Sequence, residues 1–319
     1  LESDLSEATQ SSKIYIFGEI LWDCFESGEV LGGAPLNVGW NLRAMGLDPK
    51  MISAIGCDSR AERALEKLQS HGMSTDLIAQ LQDFATGHVD VTVEDGEPTY
   101  KIVDDVAYDH IPYPDCLQES SLTGAWLYHG SLALRNVPSR ETLTRLRESF
   151  GNRVFVDINI RQPYFDYEII EPLLHGVHSV KLNVDELELM SQRPSSTLPK
   201  STSAADLLSD YPDSCKTVAI EVMEQYNIEQ MWLTAGGGGA AWISKAGGMD
   251  VVAAPQPDPF VDAVGAGDSC AAVIMHGLIH GRTPTATLTD ATRLASRVCS
   301  LQGATTTELS FYKSAVSDP

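Results

Sequence analysis

Apolar residues fall in short runs separated by amphipathic stretches, and the two kinds alternate along most of the chain. Lys13 to Phe17 has the length and composition of a buried strand. Leu36 to Met45 follows a helical spacing with Pro35 at its first turn, where a missing amide hydrogen costs nothing. Lys50 to Ile55 reads as a strand and Arg60 to His71 as a helix closed by Gly72. Further on come a strand at Ala125 to His129, a helix within Ser139 to Phe150, a strand at Arg153 to Ile158, and a strand at Ser179 to Leu182 that runs into a helix over Val184 to Ser191. Strand and helix in turn predict an α/β fold: a mostly parallel, doubly wound sheet with helices on both faces. Ligands are then expected at the carboxyl ends of the strands.

Between Gly87 and Tyr108 the rhythm changes to strict alternation. Val89, Val91 and Val93 lie on one side, Asp95-Gly96 offers a tight turn, and Tyr100, Ile102 and Val103 return. This is a hairpin, set either on the edge of the main sheet or, with Trp22 to Leu31, in a small sheet of its own. Met231 to Thr234 reads as a strand, and Gly236-x-Gly238-x-x-Ala241 nearly matches a dinucleotide-binding turn. That turn must open a helix, whereas Ala240 to Ser244 followed by Gly247-Gly248 and Val251 to Ala253 reads as another hairpin, so a dinucleotide site is not expected. Gln192 to Ser203 reads as a surface loop, and no internal repeat is visible.

The chain has 319 residues, 43% of them hydrophobic, enough for one large core carrying a small accessory sheet. Lys and Arg number 22 against 44 Asp and Glu, a formal charge of -22. Such a field repels polyanions, so neither nucleic acid nor an acidic membrane is an expected partner, and any phosphate must be held by local groups. Six widely spaced cysteines, with no Cys-x-x-Cys pair, read as reduced thiols. Leu1 to Ser12 is polar and acidic and reads as a disordered extension ahead of a domain spanning 13–319. No stretch has the length and hydropathy of a signal or membrane segment, which points to a cytoplasmic protein.

The densest candidate chemistry is Asp262-Ala-Val-Gly265-Ala266-Gly267-Asp268, running into the apolar segment Cys270 to Leu278. Gly265, Ala266 and Gly267 let backbone amides converge on an anion at a helix amino end. Asp268 beside an anion is either a helix cap or a base for a substrate hydroxyl, with the helix dipole expected to depress its basicity. In Asp157-Ile-Asn159-Ile-Arg161, continued extended geometry would put the three polar side chains on one side, facing the cleft, with Arg161 able to hold phosphate oxygens or else to pair with Asp157. Asn183 and Glu186 share one helix face, as a cap pair or as metal organisers. Asp23 leaves the first strand as a carboxylate suited to adjacent hydroxyls, or as a plain surface acid.

Two of these motifs carry a resemblance. Asp262 to Asp268 is similar to the Asp-Thr-x-Gly-Ala-Gly-Asp signature of the ribokinase-like (PfkB) carbohydrate kinases, with Ala263 in place of the threonine, and Gly32 to Gly39 through Met45-Gly46 resembles their amino-terminal signature. The resemblance runs from Ile14 to about Thr307 and implies a ribokinase-like three-layer α/β/α sandwich with a β lid formed by 22–32 and 87–109. It implies ATP and Mg2+ as requirements and a small sugar as acceptor, with Asp268 as general base, the Gly265 to Gly267 turn as anion hole and Arg161 on the transferred phosphoryl group. Positions matching Asp23, Gly33, Asn37 and Asn159 would line the sugar pocket, and Asn183, Thr234, Gly236 and Gly239 the nucleotide. Glu186 would organise Mg2+ through water, and backbone oxygens at Asp262 and Val264 would hold K+. The Gly-Gly-Ala-Pro run resembles fructokinases most, so fructose is the expected acceptor. 2-Keto-3-deoxygluconate, a pentose or a nucleoside are the alternatives within enzymes, and a sugar-binding relative without catalysis is the alternative outside them. Strand edges of the lid make a homodimer an expectation.

Overall fold

The computed structural model describes residues 13–94, 97–117, 122–191, 208, 210, 212–313 and 315–316, with side chains outside 92–99. The extension 1–12, the Asp95-Gly96 turn and the loop 192–203 lie outside the described residues.

The strand Ile14–Phe17 (β1) is central because all four residues are buried. Ile14 and Ile16 face one apolar core, while Tyr15 and Phe17 face the other. A strand covered on both faces needs this continuous apolar run, the signature of a parallel sheet. Around it lie Pro49–Ile55 (β4), Ile78–Gln80 (β5), Trp126–His129 (β8), Val154–Asp157 (β9), Ser179–Asn183 (β10) and Gln230–Thr234 (β11). The hairpin Ala240–Ser244 (β12) and Met249–Val252 (β13) completes a nine-stranded sheet of order β13-β12-β11-β10-β9-β8-β1-β4-β5. Pairing is parallel from β11 to β5 and antiparallel for β12 and β13. The chain winds outward from β1 through β4 to β5, then from β8 to β11 on the other side, so the switch point lies between β1 and β8.

One face carries helices Ala34–Ala44 (α1), Ser59–Ser70 (α2), Ala266–Ile279 (α7) and Pro284–Val298 (α8). The other carries Val137–Phe150 (α3), Tyr167–Leu174 (α4), Val184–Met190 (α5) and Pro212–Tyr226 (α6). Helix α7 is buried at every position from Asp268 to Gly277 because α1 packs on one side and α8 on the other. Its apolar surface is therefore continuous rather than a stripe.

A second, four-stranded sheet of order β3-β2-β6-β7 is built from Leu21–Phe25 (β2), Gly28–Gly32 (β3), Gly87–Glu94 (β6) and Glu97–Ile102 (β7). The alternating segment thus joins the Trp22 to Leu31 hairpin through the parallel pair β2–β6, away from the main sheet. The glycine run after β11 leads into the antiparallel strand β12, as its pattern predicts.

Candidate active site

Gly265 opens helix α7 with φ 79°, in the left-handed region that glycine enters without strain. A Cβ on it would sit 2.3 Å from Ala304 Cβ, so the position has no room for a side chain either. The Ala266 amide donates to the Ala263 carbonyl at 3.2 Å. It is spent inside the turn, which departs from the expected anion hole. Among the described residues the amides of Gly267 and Asp268 have no hydrogen-bond partner, so these two are the donors presented at the helix start.

Asp268 is buried, 8% exposed, and its Oδ2 accepts from Asn37 Nδ2 on α1 at 2.8 Å. Its carboxyl group is pushed up to about 6, above the ordinary 3.8. Burial is the main cause and Asp157 adds to it, against lowering by the Asn37 amide, Lys181 and Arg161. The helix dipole was expected to lower the basicity of Asp268; loss of solvent outweighs it. Its side chain is turned to α1 instead of capping its own helix, whose start has no side-chain cap.

Asp23 lies on β2 and is likewise pushed up to about 6 by burial, partly offset by Arg161 and reinforced by Asp268. It is more than a surface acid. Gly32 on the paired strand makes room for it, because a Cβ there would stand 2.7 Å from Asp23 Oδ2. Gly33, φ 113°, packs onto the Glu19 carbonyl, where a Cβ would approach to 2.5 Å. Asp23, Asp268, Glu19 and Tyr100 of β7 all feel the charge of Arg161, so the small sheet, the end of β1 and the start of α7 bring these residues around one guanidinium.

The polar run after β9 departs from the expected alternation. The strand ends at Asp157, and Asn159 takes φ 45°, so extended geometry does not persist and the three side chains do not share a side. Asp157 turns inward, 1% exposed, and pairs with Lys181 Nζ at 2.9 and 3.0 Å, not with Arg161. Arg161 is exposed and forms no ion pair among the described residues. Lys181, unmarked at the sequence level, is 6% exposed, and its Nζ lies 3.6 Å from where a Cβ on Gly267 would stand. Burial works against its charge, but Asp157, together with Cys270 and Glu186, more than offsets this and holds the ammonium above its usual range.

Asn183 and Glu186 form the capping pair. Asn183 Oδ1 accepts from the Glu186 amide and Glu186 Oε2 from the Asn183 amide, both at 2.8 Å, while Glu186 Oε1 accepts from the Ile160 amide at 2.8 Å. Both Glu186 oxygens are thus engaged with backbone. Among the described residues no group of three His, Cys, Asp or Glu side chains is arranged to hold a metal. The donor set suits an ion brought in on a polyphosphate better than one caged by protein carboxylates. Asp262 Oδ1 accepts from the Val264 amide at 3.1 Å; Val264 is exposed and Asp262 half-buried.

On the far side of the α7 turn lies a cavity of about 320 Å³. Gly236, Gly239, Pro255, Phe260, Gly267 and Ala295 are among the residues lining it, and Thr234 borders it as well. A shallow apolar slot ending at a helix amino terminus matches a flat base at one end and phosphates at the other. Asn183 does not line this slot. Asp268 therefore stands near this cavity, one residue on from Gly267 in its wall, and close to a cluster of carboxylates, amide and guanidinium.

A family model described as pfkB family carbohydrate kinase matches residues 3–310. An uncharacterized sugar kinase of Pyrococcus horikoshii is 29% identical over 132 residues, 41% of this chain and 43% of that protein, so the sequence match spans less than half of that relative. An ATP-dependent 6-phosphofructokinase of Thermoanaerobacterium thermosaccharolyticum is 25% identical over 270 residues, 82% of this chain and 76% of that protein. Among solved structures, a fructokinase with bound ATP from Xylella fastidiosa superposes with a TM-score of 0.77 at 19% identity, over 96% of this chain and 98% of that one. That likeness establishes the fold, ribokinase-like and α/β, and the family match adds the lineage: this chain belongs to the pfkB family of carbohydrate kinases.

Proposed function

We propose that the protein transfers the γ-phosphate of ATP to a primary hydroxyl of a small sugar, with fructose the favoured acceptor. The observation that carries this reading is Asp268, a buried carboxylate of raised pKa held by Asn37 at the start of a helix whose Gly267 and Asp268 amides have no partner among the described residues. A helix cap has no need of that burial, and a sugar-binding protein has no need of the base. The nucleotide occupies the cavity beside Gly236, Gly239 and Gly267, with its phosphates toward the α7 amides. Mg2+ supplied with ATP would neutralise phosphate charge, and Glu186 would act on it only through water, since its own oxygens are engaged.

The sugar lies against Asp23, Asn37 and Gly33, beneath the small sheet acting as a lid. Its hydroxyl oxygen bonds to the γ-phosphorus as the bond to the β,γ-bridging oxygen breaks, and the hydroxyl proton passes to Asp268. The Gly267 and Asp268 amides and Arg161 offset charge on the phosphoryl oxygens, and Lys181 beneath the turn adds positive potential. The free edges of β3 and β7 are where a second copy would pair.

Coupled detection of ADP release over a panel of fructose, glucose, ribose, 2-keto-3-deoxygluconate, adenosine and fructose 6-phosphate tests this. The reading predicts turnover dependent on a sugar, highest with fructose. Turnover confined to another panel member would replace the acceptor, and none with any member would sink the reading.

A further inference from the structure

Arg161 forms no ion pair among the described residues, so the chain on either side of it sets where its guanidinium sits. On the amino side the Ile160 amide donates to Glu186 Oε1 at 2.8 Å, which ties the segment to α5. On the carboxyl side the chain folds straight back: the Tyr164 amide donates to the Arg161 carbonyl at 2.8 Å, so these two residues open and close one tight turn. The Tyr164 hydroxyl donates in turn to the carbonyl of Ile102, the last residue of β7, at 2.8 Å. Burial and the neighbouring Asp104 carboxylate raise the pKa of that hydroxyl above its usual range, so it remains a donor at neutral pH.

Arg135 secures the same joint from the other side. Its guanidinium carbon lies 4.6 Å from the centre of the Tyr164 ring, and one of its nitrogens donates to the Val103 carbonyl at 2.6 Å. Two bonds of 2.7 Å to the fully buried Asp109 carboxylate hold that guanidinium in place. The exit of β7 and the Arg161 turn therefore share one anchor. Two residues back along β7 stands Tyr100, which itself feels the charge of Arg161.

We infer that Tyr164 is a positioning residue for phosphoryl transfer: its hydroxyl fastens the Arg161 turn to the exit of β7, so that the small sheet that covers the sugar also sets the arginine. The inference rests on the reading of Arg161 as a guanidinium that meets the phosphoryl oxygens.

Tyr164→Phe in the full chain tests this, because it removes the hydroxyl and leaves the ring on Arg135. Hydrogen–deuterium exchange over 158–165 and over 102–105 rises in the variant while its melting temperature stays close to the parent's. Unchanged exchange in both segments overturns the inference whether or not any sugar is turned over. With an active acceptor, Tyr164→Phe lowers kcat by roughly 10- to 100-fold, the range that misplacement of reacting groups produces, with KM for MgATP unchanged. Arg161→Ala loses at least as much, and adding Tyr164→Phe to it costs little more, because both act through one guanidinium. Independent, multiplying losses overturn the inference, as does a fully active Tyr164→Phe beside an impaired Arg161→Ala. A folded Arg161→Ala that turns over like the parent sinks the phosphoryl role of Arg161, and the role of Tyr164 with it. A parent inactive on every acceptor sinks the proposed transfer itself and both roles together.

Discussion

At the scale of single residues, burial governs the candidate base. Asp268 and Asp23 are both pushed up to about 6, and the charge of Asp268 helps to raise Asp23, so the acid limb of kcat/KM should fall near pH 6, not near 4, with apparent values that belong to the pair. A pH–rate profile in saturating MgATP checks this. A limb at the ordinary carboxylate range would mean that the cleft is wetter than its geometry. Stability follows the same logic. A carboxyl whose folded pKa lies above its unfolded value favours the folded state less as pH rises from about 4 to about 6, because the folded chain holds the proton longer. Asp268→Asn removes that penalty. Its melting temperature should match the parent at or below about pH 4 and exceed it increasingly toward neutrality, where the parent keeps a buried charge. Lys181 behaves oppositely. Lys181→Met strands the buried Asp157 carboxylate and should cost about 3–5 kcal/mol, measured from urea midpoints, and adding Asp157→Asn should recover most of the loss.

At the scale of elements, two turns place the chemistry. Gly265→Ala meets both a left-handed φ and the Ala304 backbone at 2.4 Å, so the start of α7 must shift. Since the Gly267 and Asp268 amides ride on that start, the variant should lose turnover by about 100-fold or more, as loss of oriented amides does elsewhere. A change confined to KM for the sugar would contradict this. Much of this level is legible in the sequence. Each strand buried on both faces announces itself as a short apolar run, and the glycine pattern marks the α7 turn. The run after Asp157 was not legible, because a single left-handed residue, Asn159, breaks a period-two pattern without any glycine to warn of it. The Asp157–Lys181 pair was hidden for another reason: it depends on the register that sets those residues opposite each other on β9 and β10. The signal that could have found Lys181 is a lysine inside the apolar run Ser179 to Leu182. Glu186 was ambiguous for a chemical reason, since the residues that cap a helix are also those that organise a cation.

At the scale of the whole molecule, the charge of -22 surrounds a site that must admit an anionic nucleotide. Raising ionic strength shortens the Debye length to about 10 Å at 0.1 M and screens that repulsion, so KM for MgATP should fall between low and moderate salt while KM for a neutral sugar stays flat. Local groups then do the binding, and the fold gathers them: the ends of β1 and β9, the small sheet, and the amino termini of α1 and α7 meet at one cleft. The flanking helices α1 and α8 bury α7 from Asp268 to Gly277, which desolvates Asp268 and gives it the strength a base requires. The most direct test is the turnover of Asp268→Asn with the sugar that supports ADP release, alongside its thermal melt. The account predicts a loss of at least ~100-fold in kcat with a melting temperature no lower than the parent's; turnover within a few-fold of the parent in a folded Asp268→Asn variant would contradict it.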